Sequence, residues 1–391
     1  MNAYSRYAAG SILPLVAVSM TLLLLMLAMA VDLGWVVLAK NQLQNAADAA
    51  ALAAASQLVD EDFLFGFTDP TDDIEESRDY AEAFAGYNTA ARRYLLLDRN
   101  EANDPNGGIV VGYIEDPLDL NSQLEVQGVS EYNSVRVAAK LGETTNGPLQ
   151  LFFGALTGVD TLEMGAAATA SIDDRVVGFA LKGNETLDML PFTVSVDVWD
   201  EGFPGDPIGA SLWPLMGLEF LKLLACYPSS HWQNGVLNIY PTALGEGNFG
   251  TIDIGPPNNS TSDLVRQIQD GVSQADLDAI GGRFELTDED ADGVFSKWLN
   301  GDTGVSAGIK SALESIIGEP RLLPLFRNYS GPGNNRMYEI VRFAGVKIVS
   351  VKLTGGSKYI NVVPCQITTR QALVHANAPG SNLVYGISLT R

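Results

Sequence analysis

The sequence predicts a mixed α+β protein: a long N-terminal transmembrane and spine helix, a small α+β domain, and a β-rich, sandwich-like domain with a helical insertion. Three observations predict this order. An uncharged apolar run continues into alanine-rich sequence, a second segment carries apolar side chains at helical spacing, and short alternating segments fill the C-terminal half. The predicted boundaries are a cytoplasmic N-terminus at 1–10, the helix at 11–57, and domains at 58–172 and 173–391.

Residues 11–31 are long enough for a membrane anchor. They carry no charge, and about 20 apolar residues cross a bilayer core of about 30 Å. Two other interpretations stay open. A secretory signal sequence would be removed near residues 28–30. A prepilin-type peptidase would cut after Gly10 and leave Ser11 first, although Leu15 stands where pilins carry glutamate.

Charge predicts the orientation of this anchor. Arg6 precedes the apolar run, and positive charge favours the cytoplasmic side. The chain holds 47 Asp and Glu against 24 Lys and Arg, and Asp32 is the only acidic residue before position 40. Asp32 either lies at the outer interface, with Trp35 in the aromatic belt, or is buried against a partner helix during assembly.

The helix is predicted to leave the membrane as a rod that extends to about residue 58, on the order of 70 Å in length. Leu43, Ala47, Ala50 and Ala54 fall on one stripe of this rod. Small residues allow helices to approach closely. The stripe therefore packs either on the protein's own domain or on neighbouring subunits.

The remaining elements follow from periodicity and turn residues. Residues 74–97 predict a helix, 103–108 a turn, and 148–156 a short apolar helix or a membrane-proximal patch. Helices are also predicted at 263–270 and 305–317. Strands are predicted at 109–113, 134–141, 163–172, 176–181, 192–199, 237–240, 321–326, 338–353, 358–367 and 383–389.

The N-terminal segment resembles one protein family. Ala-Val-Asp-Leu-Gly at residues 30–34 and Leu-Gln-Asn-Ala-Ala-Asp-Ala-Ala-Ala-Leu-Ala-Ala at 43–54 resemble TadG-like proteins of the tight-adherence (Flp-type) pilus system. The resemblance implies an accessory, membrane-anchored component of pilus assembly. It also implies a pilin-like domain at 58–172, other pilus-assembly or pilin-like subunits as partners beside the lipid bilayer, and a homo- or hetero-oligomer.

Composition and motifs argue against other classes of function. A pI near 4.3 argues against nucleic acid as a partner. The chain has two histidines and none of the hydrolase, metalloprotease or nucleotide-binding motifs, so no enzyme is expected. Cys226 and Cys365 predict a disulfide in an oxidising compartment, with two buried thiols as the alternative.

Calcium is the single cofactor that the sequence suggests. Asp288, Asp290 and Asp292, followed by Gly293, match the start of a calcium loop. The twelfth position is Leu299 instead of glutamate, so an acidic helix start capped by Thr287 is the competing interpretation.

These observations together predict a structural component of a pilus or related surface assembly. It would sit in the inner membrane by a single span, with its domains periplasmic or extracellular, and act through helix packing and domain contacts. One alternative is a filament subunit whose core is the N-terminal helix. A second is a membrane-anchored protein that binds an extracellular ligand.

Overall fold

A computed structural model describes residues 12–59, 70–129, 131–202, 231–233, 235–245, 247–255, 260–333, 336–381 and 383–390. They confirm the predicted α+β class. The helices comprise the long α1 (Leu13–Ala55), α2 (Thr71–Tyr87) and α3 (Gly154–Thr157). The other described helices are short: Val196–Gly202, Pro241–Leu244, Thr261–Asp270, Gln274–Ala279, Lys310–Ser315 and the 3-10 turn Ala307–Ile309.

The described strands are mostly short, apart from two long ones near the C-terminus. They are β1 (Thr89–Ala90), β2 (Arg93–Tyr94), β3 (Ile109–Gly112), β4 (Ser134–Leu141), β5 (Leu149–Gln150), β6 (Thr161–Leu162), β7 (Met164–Asp173), β8 (Val176–Phe179), β9 (Phe192–Ser195), β10 (Trp232–Gln233), β11 (Val236–Asn238), β12 (Phe249–Ile252), β13 (Phe284–Glu285), β14 (Asp288–Glu289), β15 (Phe295–Asp302), β16 (Pro320–Ser330), β17 (Arg336–Lys352), β18 (Tyr359–Pro364), β19 (Ile367–Thr369), β20 (Ala372–Val374) and β21 (Val384–Leu389).

The chain divides into two units, each built from separate stretches of sequence. The first comprises Met1–Ala53, Arg78–Val110 and Val135–Thr169. The second comprises Ala54–Ser77, Val111–Ser134 and Ala170–Arg391. The predicted domain boundaries at residues 58 and 173 stay a prediction.

Within the first unit, α1 is accompanied by the second half of α2, the β1–β2 hairpin, the β5–β6 hairpin that carries α3, and strands in the order β7, β4, β3. The helix expected to reach residue 97 ends at Tyr87. Ala91 and Arg92 adopt φ of 50° and 65°, which no right-handed helix accommodates. The Ala91 N–H donates to Gln42 Oε1 of α1, so this tertiary contact favours a hairpin over another helical turn.

Five strands of the second unit close into a ring, in the order β17, β16, β9, β12, β15 and back to β17. The sequence predicted sandwich-like packing for this domain, and the structure shows a closed ring of strands. The ring closes because β17, at 17 residues, is long enough to pair with several strands. One edge of β17 pairs along β16, whereas the other pairs with β15 near its start and with β18 towards its end. The strands of this ring carry large, fully buried side chains, including Phe192, Phe326 and Tyr338.

Several local predictions for the second unit differ from the structure. The strand expected over 192–199 ends at Ser195, whose Oγ accepts the Asp197 N–H, and a helix begins at Val196. The helix expected at 263–270 begins at Thr261, because Ser260 Oγ caps it by accepting the Asp263 N–H. Strands β12 and β15 and the helix Gln274–Ala279 were not predicted.

Candidate functional site

The long helix α1 is the feature around which a function can be argued. Of the helices in the described ranges, α1 passes the length and composition test for crossing a membrane, with a mean hydropathy of 2.4 in its most apolar window. Residues 12–27 are all exposed, and Ala28 is the first buried residue, at 5 % exposure. From Ala28 onwards, one face of α1 is covered by the protein itself.

Asp32 lies one turn beyond Ala28 on the covered face and is 8 % exposed. Its carboxylate accepts the backbone N–H of Phe152 on Oδ1 at 2.7 Å and that of Phe153 on Oδ2 at 3.0 Å. A buried carboxylate is costly unless it is hydrogen-bonded, and backbone N–H groups supply those bonds here. In this structure Asp32 is bound by the β5–β6 hairpin of its own chain, and its place at the membrane interface stays a prediction.

Trp35, one turn further along α1, also contacts the β5–β6 hairpin. Its indole Nε1–H donates to the Gln150 carbonyl at 3.1 Å, and its ring centroid lies 5.5 Å from that of Phe152. The Arg92 guanidinium lies 5.8 Å from the Trp35 ring centroid, within the range of a cation–π contact. Asp32 and Trp35 therefore bind neighbouring residues of the β5–β6 hairpin, Asp32 by its carboxylate and Trp35 by its indole ring.

Beyond Trp35, polar side chains of α1 bind backbone groups of the first unit. Lys40 Nζ donates to the Gly165 carbonyl, and Gln44 Nε2 donates to the Ala167 carbonyl at 3.0 Å. Both carbonyls belong to β7, and Gly165 and Ala167 are two residues apart, as the alternation of a strand requires. These bonds fix the axial position of α1 along β7.

The small-residue stripe is buried inside the chain. Leu43, Ala47, Ala50 and Ala54 are each 0 % exposed. Of the two alternatives that the sequence left open, the structure shows packing within the protein itself. Three of the four positions are alanine, and such small side chains allow the covering segments to approach the helix closely there.

The candidate calcium loop forms the turn of the β14–β15 hairpin and does not start a helix. Asp290 Oδ1 accepts the N–H groups of Asp292 and Val294 at 3.0 and 2.9 Å, and its Oδ2 binds Arg327 Nη1 at 2.8 Å. These bonds, first that from Val294 and then that from Arg327, hold the pKa of Asp290 below its usual range. Within the described ranges, His, Cys, Asp and Glu form no group of three arranged to hold a metal ion.

Two further sequence predictions are not tested. Gly10 and Ser11, the candidate processing site, lie outside the described residues, as does Cys226. Cys365 is buried, and its backbone N–H donates to the Gly345 carbonyl at 2.9 Å. The disulfide between Cys226 and Cys365 stays a prediction.

The second unit contains a cavity of about 350 Å³ beside Arg175. Arg175 Nη2 binds both Asp173 Oδ2 at 2.6 Å and Asp116 Oδ1 at 2.7 Å. The hydrogen bond from Arg175 holds the pKa of Asp116 low, and burial raises the pKa of Tyr385 at the same cavity. One guanidinium thus binds two carboxylates. The other charged residues of the lining are all acidic, namely Asp73, Glu115, Glu131 and Asp174.

Sequence reasoning missed the residues that meet Asp32 and Trp35. Phe152 and Phe153 lie 120 and 121 positions after Asp32 along the chain. The sequence did single out 148–156 as a short apolar helix or a membrane-proximal patch, and the segment contains β5 and the start of α3. The apolar character of this segment could be recognised from the sequence, whereas its contact with α1 could not.

Residues 10–57 match the family model described as "Putative Flp pilus-assembly TadE/G-like". The match covers the apolar run, Asp32, Trp35 and the small-residue stripe, and it agrees with the TadG-like resemblance of this segment. It links the N-terminal segment to Flp pilus assembly. Searches of the curated proteins and of the solved structures give no match.

Proposed function

We propose that this protein is a membrane-anchored structural component of a tight-adherence pilus or related surface assembly. Residues 13–31 of α1 would cross the inner membrane, with the N-terminus on the cytoplasmic side. The two units would lie outside the cytoplasm and act through contacts with other pilus-assembly or pilin-like subunits, without catalysis.

One observation supports this proposal: within a single turn, α1 changes from a helix that is exposed on all sides (called bare below) to one that is buried on one face. Its residues 12–27 are exposed and, apart from Ser19 and Thr21, apolar, whereas Ala28, Asp32 and the stripe beyond them are covered by the chain. From Leu13 to Asp32 the helix rises about 29 Å, close to the thickness of a bilayer core. The segment from Leu13 to Val31, which is exposed all round up to residue 27 and carries no charge, therefore has the length and the composition of a membrane span.

The buried stripe also favours an accessory component over a filament subunit. A helix that forms a filament core needs its packing face free for neighbouring copies. Here Leu43, Ala47 and Ala50 face the protein's own chain and are 0 % exposed. A filament role would have to use the bare residues 12–27 or open the first unit.

The test is to locate the mature protein in cells that assemble the pilus. Membranes and sheared filaments are separated, and the N-terminus of the protein in each fraction is read by mass spectrometry. We expect an uncut anchor in the membrane fraction and cross-links to other assembly components. A chain that begins at Ser11 and is recovered in stoichiometric amounts from filaments would overturn the accessory role in favour of the filament subunit.

A further inference from the structure

The loop between β5 and β6, residues 151–160, exposes an apolar surface. We call it the apolar loop; its sequence is LFFGALTGVD. Phe152, Phe153, Leu156 and Val159 are 57 %, 39 %, 61 % and 50 % exposed. Asp160, at its end, is its one charged residue. Four large exposed apolar side chains within eight residues are far more than scattered surface hydrophobics, and such a patch marks an interaction surface.

Six of the ten backbone N–H groups of the apolar loop have hydrogen-bond acceptors within the protein. Segments that enter a bilayer must satisfy their backbone polar groups from within the protein. The N–H groups of Phe152 and Phe153 are bound by the Asp32 carboxylate. Further bonds within the loop close its turn: Leu151 N–H to the Asp160 carbonyl, Leu156 N–H to Phe153, and Gly158 and Val159 N–H to Gly154.

The position of the loop follows from the same contacts. Asp32 and Trp35 bind its first residues and the strand before it, and Asp32 lies about 29 Å along α1 from Leu13. The exposed loop is thus attached where the bare apolar stretch of α1 ends. Its apolar surface continues the apolar surface of the helix at the outer end of the proposed span.

We propose that the apolar loop inserts into the outer interfacial layer of the same bilayer that α1 crosses, as a second and shallow membrane contact. This inference rests on the proposed function, since it requires α1 to span the membrane. Phe152, Phe153, Leu156 and Val159 enter the boundary between headgroups and acyl chains, where aromatic side chains are favoured. The contact sets the depth of α1 and prevents the first unit from tilting away from the membrane.

The full-length chain in lipid nanodiscs allows a direct test. Leu156→Cys and Val159→Cys are each labelled with bimane, and quenching is measured with lipids that carry a nitroxide at a shallow or a deep acyl position. Leu24→Cys, in the bare part of α1, serves as the positive control. Leu120→Cys, 76 % exposed in a polar loop of the second unit, is the matched negative control. The labelled wild type gives the background from the native cysteines.

We expect shallow nitroxides to quench the Leu156 and Val159 labels at least twofold more than the Leu120 label, and more than deep nitroxides do. Quenching of Leu24 without quenching at Leu156 and Val159 would overturn the inference and leave the anchor intact. Absence of quenching at all three would overturn the anchor, and the proposed function with it. Oxidative cross-linking of Leu156→Cys between two copies, with no lipid quenching, would assign the surface to self-association and refute the lipid contact.

Discussion

Replacing Asp32 with alanine removes the acceptor for two backbone N–H groups at the start of the apolar loop. In the native protein the carboxylate binds Phe152 N–H at 2.7 Å and Phe153 N–H at 3.0 Å while being 8 % exposed. The alanine methyl group accepts no hydrogen bond. Both donors are then left without this acceptor, beside a helix that offers them no replacement at that position.

The size of the effect follows from these two bonds. A hydrogen bond to a charged group contributes about 1.5–3 kcal/mol, so the pair contributes on the order of 3 kcal/mol after local rearrangement. Every 1.4 kcal/mol changes an equilibrium constant tenfold. The opening equilibrium of the β5–β6 hairpin should therefore rise on the order of 100-fold, while the rest of the first unit retains its own contacts.

Hydrogen exchange of the full-length protein in nanodiscs, read by mass spectrometry, measures this opening directly. We expect exchange of the peptide that covers residues 149–162 to accelerate on the order of 100-fold in Asp32→Ala. Asp48→Ala is the control, because Asp48 lies on the same helix and binds the Gln44 side chain at 2.8 Å. Equal protection of this peptide in the wild type and Asp32→Ala, or equal loss in Asp48→Ala, would refute the assignment of Asp32 to the hairpin.

Three further measurements test other parts of the description. Ala50→Leu should lower the free energy of unfolding in a denaturant titration by about 1–3 kcal/mol, because position 50 is fully buried. Gly34→Ala is the control and should not lower it, because the added methyl group has no neighbouring atom within 4 Å. Adding about 1 mM calcium should leave the thermal midpoint unchanged, because Asp290 already binds loop amides and Arg327; a rise of several degrees would support a calcium loop. Hydrogen bonding from Arg327 lowers the pKa of Glu339 in the folded protein below its ordinary value of 4.5. The ionised Glu339 therefore stabilises the fold above pH 4.5, and this contribution is lost as the pH falls through the pKa of the folded state. Acid unfolding followed by fluorescence should accordingly be less steep in Glu339→Gln.

The elements that the sequence predicted best are those decided by local pattern. The long helix was expected over about residues 12–58 and extends over Leu13–Ala55, because apolar and alanine-rich sequence favours helix in both lipid and water. Strand β4 was predicted with its actual bounds, since its side chains alternate between the core and the surface. In both cases a single pattern, without a competitor, determines the structure.

Other elements depend on partners that are distant in sequence. Strand β15 contains Lys, Asn, Gly and Asp, a composition that argues against a strand, yet it pairs with both β12 and β17 in the ring. The hairpin after Tyr87 likewise depends on Gln42, which binds the Ala91 N–H across 49 positions. Local propensity could not reveal either pairing, because the stabilising hydrogen bonds come from elsewhere in the chain.

The same distinction applies to Asp32. The sequence identified it as the unusual charge at the end of an apolar run, but its role depends on Phe152 and Phe153, which only the fold brings near. In the proposed membrane arrangement, moving α1 deeper would carry the Asp32 carboxylate towards hydrocarbon, and moving it outwards would expose the largely apolar residues 12–27 to water. Both displacements cost free energy. In this proposed arrangement the Asp32 charge resists deeper insertion of α1, whereas residues 12–27 and the apolar loop resist its withdrawal.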